Sequence, residues 1–108
     1  MSVTGDWDVT IKTPIGSLQI DYRFRDDGDV ISGRATGTSE TVALTDIVVT
    51  ENADGQRVRW RQTVTRPMRL KLEFDVHVRG DRLAGHSRAG RLPRSAVTGV
   101  RRTHQGKG

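Results

Sequence analysis

Apolar and polar positions alternate along most of this chain. Leu18, Ile20, Tyr22 and Phe24 alternate with Gln19, Asp21, Arg23 and Arg25. Val58, Trp60, Gln62 and Val64 alternate with Arg57, Arg59, Arg61 and Thr63. Leu70, Leu72, Phe74, Val76 and Val78 alternate with Arg69, Lys71, Glu73, Asp75 and His77. A period of two places each apolar set on one face of an extended strand, as in an antiparallel sheet with one wet side. No segment carries a helical period. Turn chemistry falls at Thr13-Pro14-Ile15-Gly16, Asp26-Asp27-Gly28-Asp29, Gly37-Thr38-Ser39-Glu40, Asn52-Ala53-Asp54-Gly55, Arg66-Pro67, Arg79-Gly80-Asp81 and Gly90-Arg91-Leu92-Pro93. These seven punctuations predict eight strands, roughly 5–13, 16–26, 29–37, 41–51, 56–65, 68–79, 82–89 and 94–102. The spacing of Val42, Leu44, Ile47 and Val49 breaks the alternation and predicts a bulge near Asp46.

The two halves resemble each other. Trp7 to Pro14 lies over Trp60 to Pro67, Leu18-x-Ile20-x-Tyr22 over Leu70-x-Leu72-x-Phe74, and Gly28 to Gly33 over Gly80 to Gly85. Four strands with one apolar face cannot stand alone, and joining two such units removes their exposed edges. The expected fold is all-β: an eight-stranded antiparallel up-and-down barrel built from two four-strand repeats, with a two-sheet sandwich as the alternative. It forms a single domain over residues 3–102, followed by a disordered basic tail at 103–108. An eight-stranded closure holds either side chains or one small ligand.

Composition removes several function classes. Absence of cysteine excludes a disulfide framework and a Cys-based metal site. No apolar run approaches the ~20 residues of a membrane span, so no membrane partner is expected. The N-terminus has neither the basic nor the apolar stretch of a signal peptide, which predicts a cytoplasmic protein. The net charge of +5 is uneven. Residues 1–54 hold 10 acidic and 4 basic side chains, a balance of −6, and residues 55–108 hold 3 acidic and 14 basic, a balance of +11. Opposite signs on one surface can steer an anionic partner or favour a homo-oligomer.

At the ends of the chain, Gly5-Asp6-Trp7 resembles the G-x-W that opens the lipocalin and avidin-like (calycin) barrels, and Arg101 stands where those families pack an arginine over that tryptophan. The resemblance implies a calycin-type barrel in which Gly5, Trp7 and Arg101 are structural. Neither a further lipocalin motif nor the avidin biotin constellation is present, so transport and biotin binding are not carried over.

Strand direction places the turns at 13–16, 37–41, 65–68 and 89–94 on one rim and those at 26–29, 51–56 and 79–81 on the other. Trp7, Trp60, Tyr22, Phe24 and Phe74 crowd toward the second rim and predict a plugged end. Toward the first rim Gly33, Ala35, Gly37, Gly85, Ser87 and Ala89 are small, either to leave room for an apolar ligand or to let the sheet curve. The candidate ligand-binding residues are Leu18, Ile20, Ala35, Leu44, Gln62, Val64, Leu70, Leu72 and Ser87, at a rim made apolar by Pro14, Ile15, Met68, Leu92 and Pro93. Gln62 is the clearest inward polar group; it orients a ligand or bonds a neighbour such as Tyr22 or Ser87.

No nucleotide-binding loop, H-E-x-x-H or nucleophile elbow occurs. His77, His86 and His104 fall on outward positions or in the tail, so no metal and no cofactor are expected. Tyr22, Asp46 and Gln62 are the catalytic candidates, with Ser87 and Arg101 behind them. An Asp46 turned inward by the bulge beside Tyr22 would shuttle protons on a hydrophobic substrate. The expected function is binding of a small apolar molecule inside the barrel, as a carrier or as a cofactor-free enzyme of isomerase, cyclase or lyase type. The alternative is an interaction module whose basic face, Arg57, Arg59, Arg61, Arg69, Lys71, Arg101 and Arg102, meets nucleic acid or a second copy. Inward aromatics leave that face without a base-stacking platform, which weighs against nucleic acid.

Overall fold

The computed structural model describes residues 2–13, 16–38, 40–65 and 69–102. Nine strands form among them: β1 (Gly5–Thr13), β2 (Gly16–Asp27), β3 (Val30–Thr36), β4 (Thr41–Ala43), β5 (Thr45–Asn52), β6 (Gly55–Val64), β7 (Leu70–Arg79), β8 (Arg82–Ala89) and β9 (Ser95–Arg101). All belong to one antiparallel sheet of order β4-β3-β2-β1-β9-β8-β7-β6-β5. The first and last strands pair directly, Ile11 opposite Val97 and Trp7 opposite Arg101. The sheet therefore curls into an all-β, nearly closed barrel, and its two edge strands are consecutive in the chain.

Those edges correct the expectation of eight strands. The predicted strand at 41–51 is one path through space but not one ladder. Thr41–Ala43 pair with β3, and the Leu44 amide still donates to the Gly33 carbonyl at 2.9 Å. From Thr45 onward the chain pairs with β6 instead, with a register shift between Thr45 and Val48. Asp46 sits at the shift with φ 52°, a left-handed conformation that aspartate tolerates better than most residues. The bulge predicted from the broken alternation thus ends one ladder and starts another, leaving nine strands. The expected two-fold repeat is not shown by this arrangement: β1–β4 stand against β5–β9, and Trp7 and Trp60 have different hydrogen-bond partners. The predicted tail at 103–108 lies outside the described residues.

The core follows the alternation. Trp7, Val9, Tyr22, Phe24, Val58, Trp60, Phe74, Val76, Val78, Leu83 and Val97 are all buried. Trp60 and Phe74 are cross-strand neighbours and stack at 4.9 Å with 7° between their planes, while Phe24 meets Trp60 edge-on at 5.3 Å. Such pairs add about 0.5–1.5 kcal/mol each beyond their area. The small residues of β3 and β8 lie against this packing. A Cβ on Gly33 would stand 2.8 Å from Leu44 Cδ1 and 3.2 Å from Phe24 Cδ2. At Gly33, the space a side chain would take is occupied by these neighbours.

One end of the barrel is sealed by the N-terminal residues. The Val3 side chain is fully buried, its amide donates to Gln56 Oε1 at 2.9 Å, and its carbonyl accepts from Trp7 Nε1 at 2.8 Å. Arg101 lies 4.4 Å over the Trp7 ring and donates to the carbonyls of Ser2, Thr4 and Gly80 and to the Asp81 carboxylate. Gly5, at φ 131°, lies beneath that guanidinium, where a Cβ would stand 2.9 Å from Nη1. Gly5, Trp7 and Arg101 are thus one packed unit, as their sequence positions suggested.

Candidate ligand-binding site

Exposure changes in one direction along the inward positions of three strands. On β2, Leu18 is 53% exposed and Ile20 half-buried, whereas Tyr22 and Phe24 are 1% exposed. On β6, Val64 is half-buried and Gln62, Trp60 and Val58 are buried. On β7, Leu70 and Leu72 are half-buried before Phe74, Val76 and Val78 disappear from solvent. All three gradients run from the sealed end to the opposite rim. Strand pairing puts their open positions close together, Val64 beside Leu70 and Gln62 beside Leu72. Leu92, in the β8–β9 connection at the same rim, is 56% exposed. The result is a barrel whose lower part is packed and whose upper wall is apolar and partly open. The rim residues Pro14, Ile15 and Met68 lie outside the described residues.

The candidate residues divide into two levels. Leu18, Ile20, Val64, Leu70 and Leu72 form the open wall. Ala35, Leu44, Gln62 and Ser87 are buried at 3%, 8%, 2% and 4% exposure. Ala35 and Ser87 stand opposite Tyr22 and Phe74 in their ladders, so they face the aromatic rings at the base of the wall.

Gln62 organises that base. Its Oε1 accepts from the Tyr22 hydroxyl at 2.7 Å and from Trp60 Nε1 at 3.0 Å. The indole nitrogen can only donate, so the amide must turn its oxygen toward the two rings. Burial pushes the Tyr22 phenol far above its ordinary pKa, outweighing the lowering effect of the bonds to Gln62 and Trp60. Tyr22 is therefore a fixed donor across the physiological range and is unsuited to abstracting a proton.

Asp46 does not join it. The bulge turns this carboxylate to the outer wall, where it is 68% exposed and 3.7 Å from Arg61. The expected inward Asp46–Tyr22 proton shuttle is not assembled, because the left-handed residue sits where the chain leaves the ladder rather than inside it. Among the described residues no group of three His, Asp or Glu is arranged to hold a metal ion, and His77 and His86 are half-buried on outward strand positions.

Sequence reasoning missed two polar and apolar plugs of the sealed end, Gln56 and Val3. Gln56 carries the Val58–Trp60–Gln62 alternation one step further and was legible on that ground. Val3 had no signal beyond one apolar residue ahead of Gly5.

The outer wall is wet and heavily paired. Arg57 holds Asp75 at 2.6 Å, Arg61 lies between Asp46 and Glu73, and Arg102 binds both Asp8 and Asp21. A groove of about 560 Å³ runs across β5–β8, lined by Arg59, Arg61, Arg88, Arg94 and His86 on one account and Asp46, Glu73 and Asp75 on the other. Acids interleave with the arginines, and of the predicted basic face Arg57, Arg61, Arg101 and Arg102 are ion-paired. The hydrogen bond from Arg57 holds the Asp75 carboxyl below its usual value, aided by the charges of Arg57, His86 and Arg59. A depressed folded pKa stabilises above the unfolded value of ~3.9 and is lost as pH falls through the folded one. Asp75→Asn is therefore expected to lower the urea midpoint at pH 7 and to have a progressively smaller effect below about pH 4. An effect unchanged by acid would assign the loss to packing instead.

Comparison with protein-family models, curated proteins and solved structures finds no match to this chain. The protein is defined by its own architecture: an all-β, nearly closed antiparallel barrel, compatible with a calycin-like fold. No helix among the described residues is long and apolar enough to cross a membrane.

Proposed function

We propose that this barrel binds a small apolar molecule at its open end, as a carrier or as a cofactor-free enzyme. The observation that carries the reading is the common burial gradient on β2, β6 and β7, which leaves apolar side chains exposed on an inward-facing wall. Exposed apolar surface gathered in a concavity is stabilised by an apolar occupant, at about 25 cal/mol for each Å² removed from water. A proton-holding Tyr22 at the base favours binding over acid–base chemistry there. Arg101 over Trp7, with Gly5 beneath its guanidinium, supports reading the barrel as a lipocalin- or avidin-like, calycin-type member.

The test is a titration with 2-isopropylnaphthalene followed by methyl NMR. Saturable shifts are expected at Leu18, Val64, Leu70 and Leu72, with Val76 and Val78 at the sealed end unmoved. Leu72→Arg, which sets a charged chain across the wall, is expected to weaken binding at least tenfold, since one desolvated cation costs well over 1.4 kcal/mol. A wild-type protein with no saturable shift in those methyls would end the reading.

A second reading, an interaction module acting through its outer face, draws support from the β5–β8 groove. Arg59, Arg88 and Arg94 line it and make no ion pair among the described residues. Oligonucleotide binding that falls steeply between 50 and 200 mM salt, the range over which phosphate contacts are lost, would favour it.

A further inference from the structure

Gln62 has two ends, and only one of them is used. Its oxygen is saturated by Tyr22 and Trp60. Its Nε2, with two N–H donors, has no partner among the described residues although the residue is 2% exposed. Yet no side-chain nitrogen or oxygen that is fully sealed from solvent lacks a partner among those residues. The Nε2 must therefore open onto accessible space. The remainder of the side chain is enclosed, and its next inward neighbours toward the rim, Val64 and Leu72, are the half-buried residues of the open wall. Ser87 repeats the pattern on β8: it is 4% exposed, and its hydroxyl makes no hydrogen bond among the described residues. Its ladder neighbour Phe74 stands opposite Trp60, one inward step from Gln62.

We infer that the ligand carries a hydrogen-bond-accepting oxygen, a carbonyl or carboxylate, at its buried end, received by Gln62 Nε2 with Ser87 as a second donor. The inference rests on the ligand-binding reading above and gives that ligand its chemical class: an apolar body with an oxygen acceptor leading. The physical reason is orientation. An apolar wall attracts a hydrophobic molecule without fixing which way it enters. A buried donor whose direction is set by two other residues accepts one orientation and penalises every occupant that leaves it unpaired. Tyr22 and Trp60 act here as positioning residues, because they hold the amide oxygen and so leave the nitrogen as the end that can meet a ligand.

Two near-isosteric probes separate this inference from the reading beneath it. 2-Acetylnaphthalene offers a carbonyl where 2-isopropylnaphthalene offers only carbon. The ketone is expected to bind about tenfold tighter to the wild-type protein and to move the Gln62 side-chain NH₂ resonances downfield in ¹⁵N-resolved spectra. The hydrocarbon should leave those resonances near their free positions. Gln62→Glu keeps an acceptor for Trp60 and Tyr22 but replaces the NH₂ donor with an oxygen; it is expected to abolish the ketone's advantage over the hydrocarbon. Equal affinities with unmoved Gln62 resonances would overturn the anchor and leave the apolar site standing. Binding of neither probe would overturn both. The wild-type spectra decide the matter if the variant does not fold.

Discussion

Gly85→Ala is expected to remove most of the stability of this barrel, by about 3 kcal/mol or more, the upper range for overpacked cores. A Cβ at position 85 would overlap the Asp75 carbonyl oxygen and lie 2.6 Å from Val76 Cα. Both atoms belong to the backbone of the adjacent strand β7, so no rotamer change relieves the clash. Strands β7 and β8 would have to separate beside the Phe74–Ser87 pair, against the stacked Trp60 and Phe74 rings. Gly37→Ala is the control, because nothing lies within 4 Å of a Cβ there. It should shift stability by no more than about 0.5 kcal/mol. Chemical denaturation of both variants checks the contrast, and a Gly85→Ala midpoint close to that of wild type would show that the two strands are more loosely apposed than described.

Arg101→Met is expected to cost about 3 kcal/mol and to unfasten residues 2–4 before the rest of the protein unfolds. The Arg101 side chain is 17% exposed, and its guanidinium meets three backbone carbonyls, one carboxylate and the face of Trp7. Hydrogen bonds to a charged group contribute about 1.5–3 kcal/mol each where they are shielded, and a partly buried cation over an indole adds about 1. Methionine keeps the stem but leaves the Thr4 and Gly80 carbonyls without their donor. Hydrogen exchange should accelerate first at the Val3 amide, which Gln56 holds at the sealed end. The neighbouring Arg102→Met removes ion pairs to Asp8 and Asp21 on the outer wall and should cost under about 1 kcal/mol, as exposed pairs do. Equal losses for the two arginines would mean that the sealed end does not depend on Arg101.

The alternation on β2, β6 and β7 told which side chains face inward, and every buried aromatic obeys it. The missing step in alternation around Asp46 told that a bulge occurs there. It did not tell which way the aspartate would point, because a left-handed residue redirects the chain by an amount that the neighbouring ladders decide. The sequence also led to Gln62 through the same period of two. Which of its ends would be occupied was beyond that pattern: the answer depends on Tyr22, 40 positions away, reaching its oxygen across the barrel. Gly33 and Gly85 left two readings open in one dimension, room for a ligand or freedom for the sheet to curve. The volume a Cβ would take is already filled by Leu44 and Phe24 at Gly33 and by the β7 backbone at Gly85.

Charge was reorganised as well. In one dimension the acidic residues belong to the first half of the chain and the basic residues to the second. Antiparallel pairing redistributes them by turn. Among described residues, the open end carries Lys12, Arg69, Lys71, Arg91 and Arg94 against Glu40, and the sealed end carries Asp6, Asp26, Asp27, Asp29, Glu51, Asp54 and Asp81 against Arg25, Arg79, Arg82, Arg101 and Arg102. The open end therefore bears the larger excess of positive charge among these residues.

By itself the sequence determined an all-β chain, the inward face of each strand and the positions of most turns, because these depend on a two-residue period and on local backbone preferences. Tertiary structure alone decided the rest. It split one predicted strand between two ladders, sealed one end with Val3 and Arg101, opened the other onto Leu18, Val64, Leu70 and Leu72, and left the Gln62 amide nitrogen unclaimed. Each of these depends on which residues meet across the barrel, and that is set by register and closure rather than by any local pattern.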